Sequence, residues 1–279
     1  MALALVVLVV LVWELVKILV PADGVSLGGV RVVPRTDDGS LPHVWDVIAV
    51  LSEPEVAIAG SRTTGQTIAA AMWFSLQLAL MALLLGSVLG LVAGALLYYV
   101  PLLRRALLPF IVLAPTVPVL AIAPLVAAWS GKIVVLGYGW QRWMSVVLIS
   151  TYLVYFPVAV GTLRGLLSPT RAALELMHCF AAHRWQTLLR VNMPSAVPFL
   201  VPALKLGAAS SVVGVIVSEI ATGTDGGIGR LILDYIPRSA SDGSRLFAAV
   251  IAAALLGLVV TGLVSLIDVL LAKYQGESR

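Results

Sequence analysis

The chain has 279 residues, of which 60% are hydrophobic and 11% charged, and its mean hydropathy is +1.04. Soluble domains average roughly half apolar and a quarter charged, so the composition excludes a water-soluble globular protein and places the chain in a bilayer. The formal charge of +4 comes from basic residues set singly between apolar runs, without the clustered basic patch and interleaved aromatics of a nucleic-acid face. One cysteine, Cys179, excludes an internal disulfide, and His43, His178 and His183 have no zinc-like spacing.

A membrane-spanning helix takes about 20 mostly apolar residues to cross about 30 Å of hydrocarbon. Six runs meet this, at 2–20, 68–99, 106–129, 143–166, 196–220 and 246–272. The first lacks a basic leader, and Trp13, Glu14 and Lys17 interrupt it before any small-residue cleavage site, so residues 1–20 read as a retained transmembrane helix and not a signal peptide. Residues 21–66 form an extracytoplasmic loop punctuated by Gly and Pro. Within it PHVWDVIAVLSEPEV predicts a short amphipathic helix after Pro42, with Val44, Val47, Ile48 and Leu51 at helical spacing. Such a helix lies on the membrane surface or caps the bundle. In the second run Gly86, Gly90 and Gly94 stand four residues apart and predict a small-residue face for close helix packing.

Between the fourth and fifth runs lies ELMHCFAAHRWQTLLRVNMPSAVP, residues 175–198, which carries most of the charge in its neighbourhood. Leu174, Met177, Ala181, Trp185 and Leu188 share one helical face; His178, Arg184, Gln186 and Arg190 fill the others. The segment is too polar to span. As a helix stopped at Met193-Pro194 it lies along the bilayer or projects an apolar ridge into a partner's groove, and periodicity leaves both readings open.

Ionisable residues inside spans are costly and so are functional candidates. Glu219 follows SSVVGVIVS near the end of the fifth run. It is either an interfacial helix-end carboxylate or a gate residue paired with a cation or hydroxyl across a subunit interface. Glu14 and Asp268 lie nearer span ends and read as interfacial or paired. For solute contact, Ser210, Ser211 and Ser218 offer donors to an anion, while Tyr152, Tyr155 and Phe156 offer stacking to an aromatic solute. With both termini cytoplasmic, the basic residues divide evenly between the two sides, so the positive-inside rule leaves the topology open.

One frame carries more information. Glu175, a small residue six positions on at Ala181, then Val191, Asn192, Met193 and Pro194 resemble the EAA loop of the membrane subunits of bacterial ABC importers. The flanking stretches PTVPVLAIAPLVAAWSG and PALKLGAASSVVGVIVSEIATGTDGGIGRLI are similar to the branch that imports nitrate, sulfonates, taurine and thiamine precursors. The resemblance covers residues 67–273. It implies an all-α membrane protein of about six spans, like the permease of a type I importer, with a core at 67–273, a coupling loop at 168–194 between the fourth and fifth spans, and a tail at 274–279. It further implies a multi-pass place in the bacterial cytoplasmic (inner) membrane, in contact with lipid, and no enzymatic activity of its own. Two ABC ATPase subunits would bind ATP and Mg, while a second permease copy or homologue and a solute-binding protein would complete the assembly. This chain would hold no cofactor and contact no nucleic acid. The absence of a GxxxxGK[ST] loop agrees with recruitment of a separate ATPase.

On this reading Glu175 is the helix-start acid, Arg184 a polar contact with the ATPase, and Met177, Phe180, Ala181 and Leu188 the apolar side of the ridge. Pro194 ends the helix. The pathway candidates stay Glu219, Ser210, Ser211, Ser218, Tyr152 and Tyr155, for a small anion (nitrate, a sulfonate or taurine) or a heterocycle like a thiamine precursor. Two departures stand out. The family's two alanines after the Glu are Leu176 and Met177, and its glycine is Ala181. A left-handed alanine costs about 1–2 kcal/mol, which predicts a helix continuing through Ala181. The alternatives are a stand-alone secondary transporter, which calls for inverted repeats and intramembrane charge pairs, and a membrane-embedded enzyme, which calls for a clustered catalytic set.

Overall fold

The computed structural model describes residues 2–27, 30–33, 35–56, 58, 60–130, 132–135, 137–240 and 242–275. Asp268 lies outside the residues whose side chains are described. The chain forms two compact units, Met1–Phe74 with Asp225–Leu255, and Ser75–Thr224 with Leu256–Arg279.

In the first unit the opening apolar run forms α1, Ala2–Leu19. The three residues that interrupt it hold the following loop. The Trp13 indole N–H donates to the Pro42 carbonyl at 2.9 Å, Glu14 accepts from the Val44 N–H and pairs with His43 Nδ1 at 2.8 Å, and Lys17 donates to the Thr36 carbonyl and Asp38 at 2.7 Å. A hairpin follows, β1 Val25–Leu27 with β2 Val30–Val33, an element the all-helical reading lacks. The helix predicted after Pro42 is α2, Val44–Ala49, which tightens into a 3₁₀ turn through Ser52. Because that turn has three residues per repeat, Val47 and Val50 become the buried pair, while Ile48 and Leu51 are exposed.

Later in the chain this unit contains α10, Ile228–Tyr235, a helix hidden from the apolar-run reading by its polar flanks. Tyr235 is fully buried and donates from its hydroxyl to Glu55 at 2.8 Å. Burial, and then that bond to a carboxylate, raises the phenol well above its usual range. Arg245 reinforces the same loop through the carbonyls of Pro54 and Glu55 at 3.1 and 3.2 Å.

The long helices are α3 Thr64–Tyr99, α6 Arg142–Leu166, α9 Met193–Thr222 and α11 Ser244–Gln275. Among the described residues four stretches are long and apolar enough to cross a membrane: Thr64–Tyr99, Arg142–Leu166, Arg184–Thr222 and Ser244–Leu266. The third predicted run is not one straight span. It divides into α4, Pro101–Leu113, a 3₁₀ turn over Ala114–Thr116, and α5, Val119–Ala127, with the two parts bent by 91°. The cause is proline: Pro118 cannot donate to the carbonyl four residues back, Ala114, and disfavours a helical residue before it. The Tyr152 hydroxyl donates to that carbonyl at 2.7 Å. Counted as one broken span, this pair makes five. In the stretch that follows, β3 Val134–Val135 pairs antiparallel with β4 Tyr138–Gly139.

The second unit is built around α6. A Cβ placed on Gly86, Gly90 or Gly94 would stand 2.5, 2.7 and 2.5 Å from the Cβ of Val154, Val158 and Thr162, so α3 lies against α6 along the ladder that the glycine spacing predicts. On another face Gly161 and Gly165 make the same close approach to Ala203 and Ala196 of α9, at 2.4 and 2.9 Å. Small residues therefore set both helix contacts, which in lipid are held by dispersion and not by the hydrophobic effect.

The candidate coupling segment and solute pathway

Ser168-Pro169-Thr170 ends α6 and starts the next helix. Thr170 is its N-cap, with Oγ1 accepting from the Ala173 N–H at 3.3 Å, and α7 runs over Arg171–Cys179. The cost of a left-handed alanine predicts a helix continuing through Ala181, but α7 stops at Cys179. Ala181 has φ +50°, its N–H reaches the His178 carbonyl at 2.9 Å, and the Ala182 N–H reaches Met177 at 3.0 Å. These are the two bonds of a Schellman cap. Two satisfied helix-end carbonyls offset the strained alanine, so the loop keeps the turn that glycine makes easily.

Ala181→Gly is therefore expected to stabilise this turn by about 1 kcal/mol, read as slower limited proteolysis of the loop in the intact protein. Faster cleavage would contradict the turn.

After the turn, α8 covers Arg184–Thr187, with the His183 N–H bonded to Gln186 Oε1 at 3.0 Å. A π-helical turn, Leu188–Asn192, leads into α9. Pro194 does not end a helix here. It sits in the first turn of α9, where its missing donor is not needed, and the wider π turn before it absorbs the mismatch.

The break at Ala181 also divides the predicted ridge. Leu188 is buried, at 9% exposure, and packs with Leu166 and Ala196 instead of projecting outward. What projects is Leu176, Phe180 and Trp185, at 57%, 75% and 65% exposure. Glu175, Ala181, Arg184 and Pro194 are exposed and Met177 half-buried; neither Glu175 nor Arg184 has an ion-pair partner among the described residues.

Asn192 is the residue that sequence reasoning passed over, as the free position before Met193-Pro194. It is 1% exposed, and its amide donates to the Leu166 carbonyl at 2.8 Å and the Tyr98 hydroxyl at 2.9 Å. The ends of α3 and α6 are thereby joined to the π turn. Ser168 adds a bond to the Ser195 carbonyl at 3.0 Å. An amide set directly between Val191 and Met193 is the signal that could have found it, since a polar group buried among apolar neighbours must be hydrogen-bonded.

Glu219 is fully buried and accepts from Ser75 Oγ of α3 at 2.7 Å. Ser75 of the same chain thus supplies a hydroxyl partner to this carboxylate. Ser211 bonds back to the Ala208 carbonyl at 2.8 Å, Ser218 is buried, and Ser210 is half-buried. Tyr152 is committed to the bend at Ala114, and Tyr155 packs on Phe156 with ring centroids 5.1 Å apart.

A multi-pass helical bundle with a polar, aromatic-tipped segment tied between two of its spans is the architecture of a transporter's membrane subunit. Residues 86–273 match the family of binding-protein-dependent transport system inner membrane components, and the chain belongs to that family. It is the permease subunit of an ABC importer: it forms the solute route, works with an ATPase subunit and a solute-binding protein, and is not itself an enzyme. The secondary-transporter and membrane-enzyme readings fall with that assignment.

A probable ABC transporter permease protein of Haemophilus influenzae is 30% identical over 221 residues, covering 76% of this chain and 85% of its own. The putative aliphatic sulfonates transport permease SsuC of Bacillus subtilis is 26% identical over 251 residues, covering 90% and 83%. The formylaminopyrimidine transport permease ThiX of Halalkalibacterium halodurans is 30% identical over 180 residues, covering 63% and 66%. In fold, the chain is similar to an inward-facing structure of the MetNI methionine ABC transporter, with TM-score 0.63 and 17% identity over 74% of this chain and 97% of that one.

Proposed function

We propose that the segment from Arg171 to Asn192 is the coupling element, and that Leu176, Phe180 and Trp185 seat in a cleft of the ATPase subunit with Glu175 and Arg184 at the rim. The observation that carries this is the outward ridge: large apolar side chains stand clear on a segment whose own polar groups keep it out of hydrocarbon. On this reading two ATPase subunits bind ATP and Mg, and their closure moves the segment. A second permease copy or homologue completes the enclosure. The chain lies in the bacterial cytoplasmic membrane with the segment on the cytoplasmic side, and α1 is its sixth span. The solute is a small anion such as nitrate, a sulfonate or taurine, or a heterocycle like a thiamine precursor; the names of the relatives support both kinds.

The test is co-purification. Phe180→Asp and Arg184→Glu should each insert normally, and Phe180→Asp should weaken ATPase binding by at least about 2 kcal/mol, roughly thirtyfold. Wild-type recovery of the ATPase by both variants would overturn the docking role.

A further inference from the structure

Between α6 and α9 runs a groove of about 320 Å³, whose lining includes Pro157, Arg164, Pro198, Phe199, Pro202 and Leu206. Each of its three prolines lies inside a helix. A proline has no N–H, so the carbonyls four residues earlier, of Leu153, Pro194 and Pro198, lose their helical donors. Residues four apart stack on one helix face, which brings freed acceptors to the side where the prolines line the groove. Arg164 lies at the end nearest the coupling segment, since α6 stops at Leu166. It is exposed and has no ion-pair partner among the described residues. From Pro157 to Arg164 the helix rises about 10 Å, enough for a small organic solute.

Hydrocarbon solvates neither freed carbonyls nor a guanidinium, and inside a membrane such groups are tolerated where protein or a water-filled cavity meets them. We infer that this groove is a wetted subsite at the coupling-segment end of the solute route, binding an anionic group at Arg164 and N–H donors at the proline-freed carbonyls. The inference rests on the permease reading and deepens it. Its solute class is a small molecule bearing both an acid group and N–H donors.

The experiment uses the whole chain with its ATPase in membrane vesicles open on the coupling-segment side, with Cys179→Ser removing the native thiol. Single cysteines are introduced as Phe199→Cys and Leu206→Cys, both at exposed groove positions, and as Leu84→Cys on the exposed apolar surface of α3. Impermeant methanethiosulfonates carrying either a sulfonate or a trimethylammonium group are the probes. Both groove cysteines should react while Leu84→Cys stays inert, and Arg164→Gln should lower the preference for the sulfonate reagent by about fivefold. Groove cysteines as inert as Leu84→Cys would mean that lipid or a second copy covers the groove, and would overturn the inference. So would a reagent preference that Arg164→Gln leaves unchanged. Failure of the permease reading shows separately, as an absence of ATPase from the purified complex.

Discussion

Gly90→Leu is expected to leave little monodisperse protein after extraction from the membrane. A Cβ at this position would lie 2.7 Å from Val158 Cβ and 2.9 Å from the Tyr155 carbonyl. A side-chain neighbour can rotate away, but a backbone oxygen inside α6 cannot move without its helix. Overpacking usually costs about 1–3 kcal/mol and more where the surroundings cannot yield. Here α3 cannot relax by sliding or tilting, because Gly86 and Gly94 make equally close contacts one turn to either side. The loss should therefore sit above the usual range. Gly257→Leu on α11 is the matched control, since nothing lies within 4 Å of a Cβ there. Fluorescence-detected gel filtration separates the outcomes, and a Gly90→Leu protein with the wild-type profile would refute this account of the α3–α6 contact.

Asn192→Leu should give a subtler but larger functional loss. The substitution keeps approximate size and removes both amide donors, so the Leu166 carbonyl and Tyr98 hydroxyl lose their partner at a cost of about 1–3 kcal/mol. The coupling segment would still present Phe180 and Trp185, so ATPase association is expected to persist. What weakens is the mechanical tie between the π turn and the ends of α3 and α6. Coupling free energies of about 1–3 kcal/mol correspond to roughly 5- to 150-fold, and solute uptake per ATP hydrolysed should fall within that range. Tyr98→Phe, which deletes one of the two bonds, should fall less. Unchanged stoichiometry in Asn192→Leu, with the ATPase still bound, would reduce Asn192 to a packing residue.

How much of this is legible in the sequence depends on the range of the physics involved. Apolar length and glycine spacing are local, and they locate the long helices and the α3 face that meets α6. The proline pair around Val117 is local too, but hydropathy windows average over it and hide the bend between α4 and α5. Ala181 shows the opposite failure. Its intrinsic cost is local, yet two cap hydrogen bonds outweigh it, and these depend on where Ala182 goes next. Once the helix breaks there, every later residue changes face, which is why Leu188 turns inward while Phe180, before the break, stays exposed. Ser75 and Asn192 needed three-dimensional contacts, since their partners lie 144 and up to 94 positions away.

The exposed Cys179 has a chemical consequence as well. It is the chain's single thiol, at the last residue of α7 and two positions before the left-handed Ala181. Any thiol-directed dye or nitroxide therefore attaches at one site only, beside the bend of the segment. The unaltered protein thus comes with a native reporter, and distances measured from that thiol would follow the segment's movement through a transport cycle with no residue of the bundle changed.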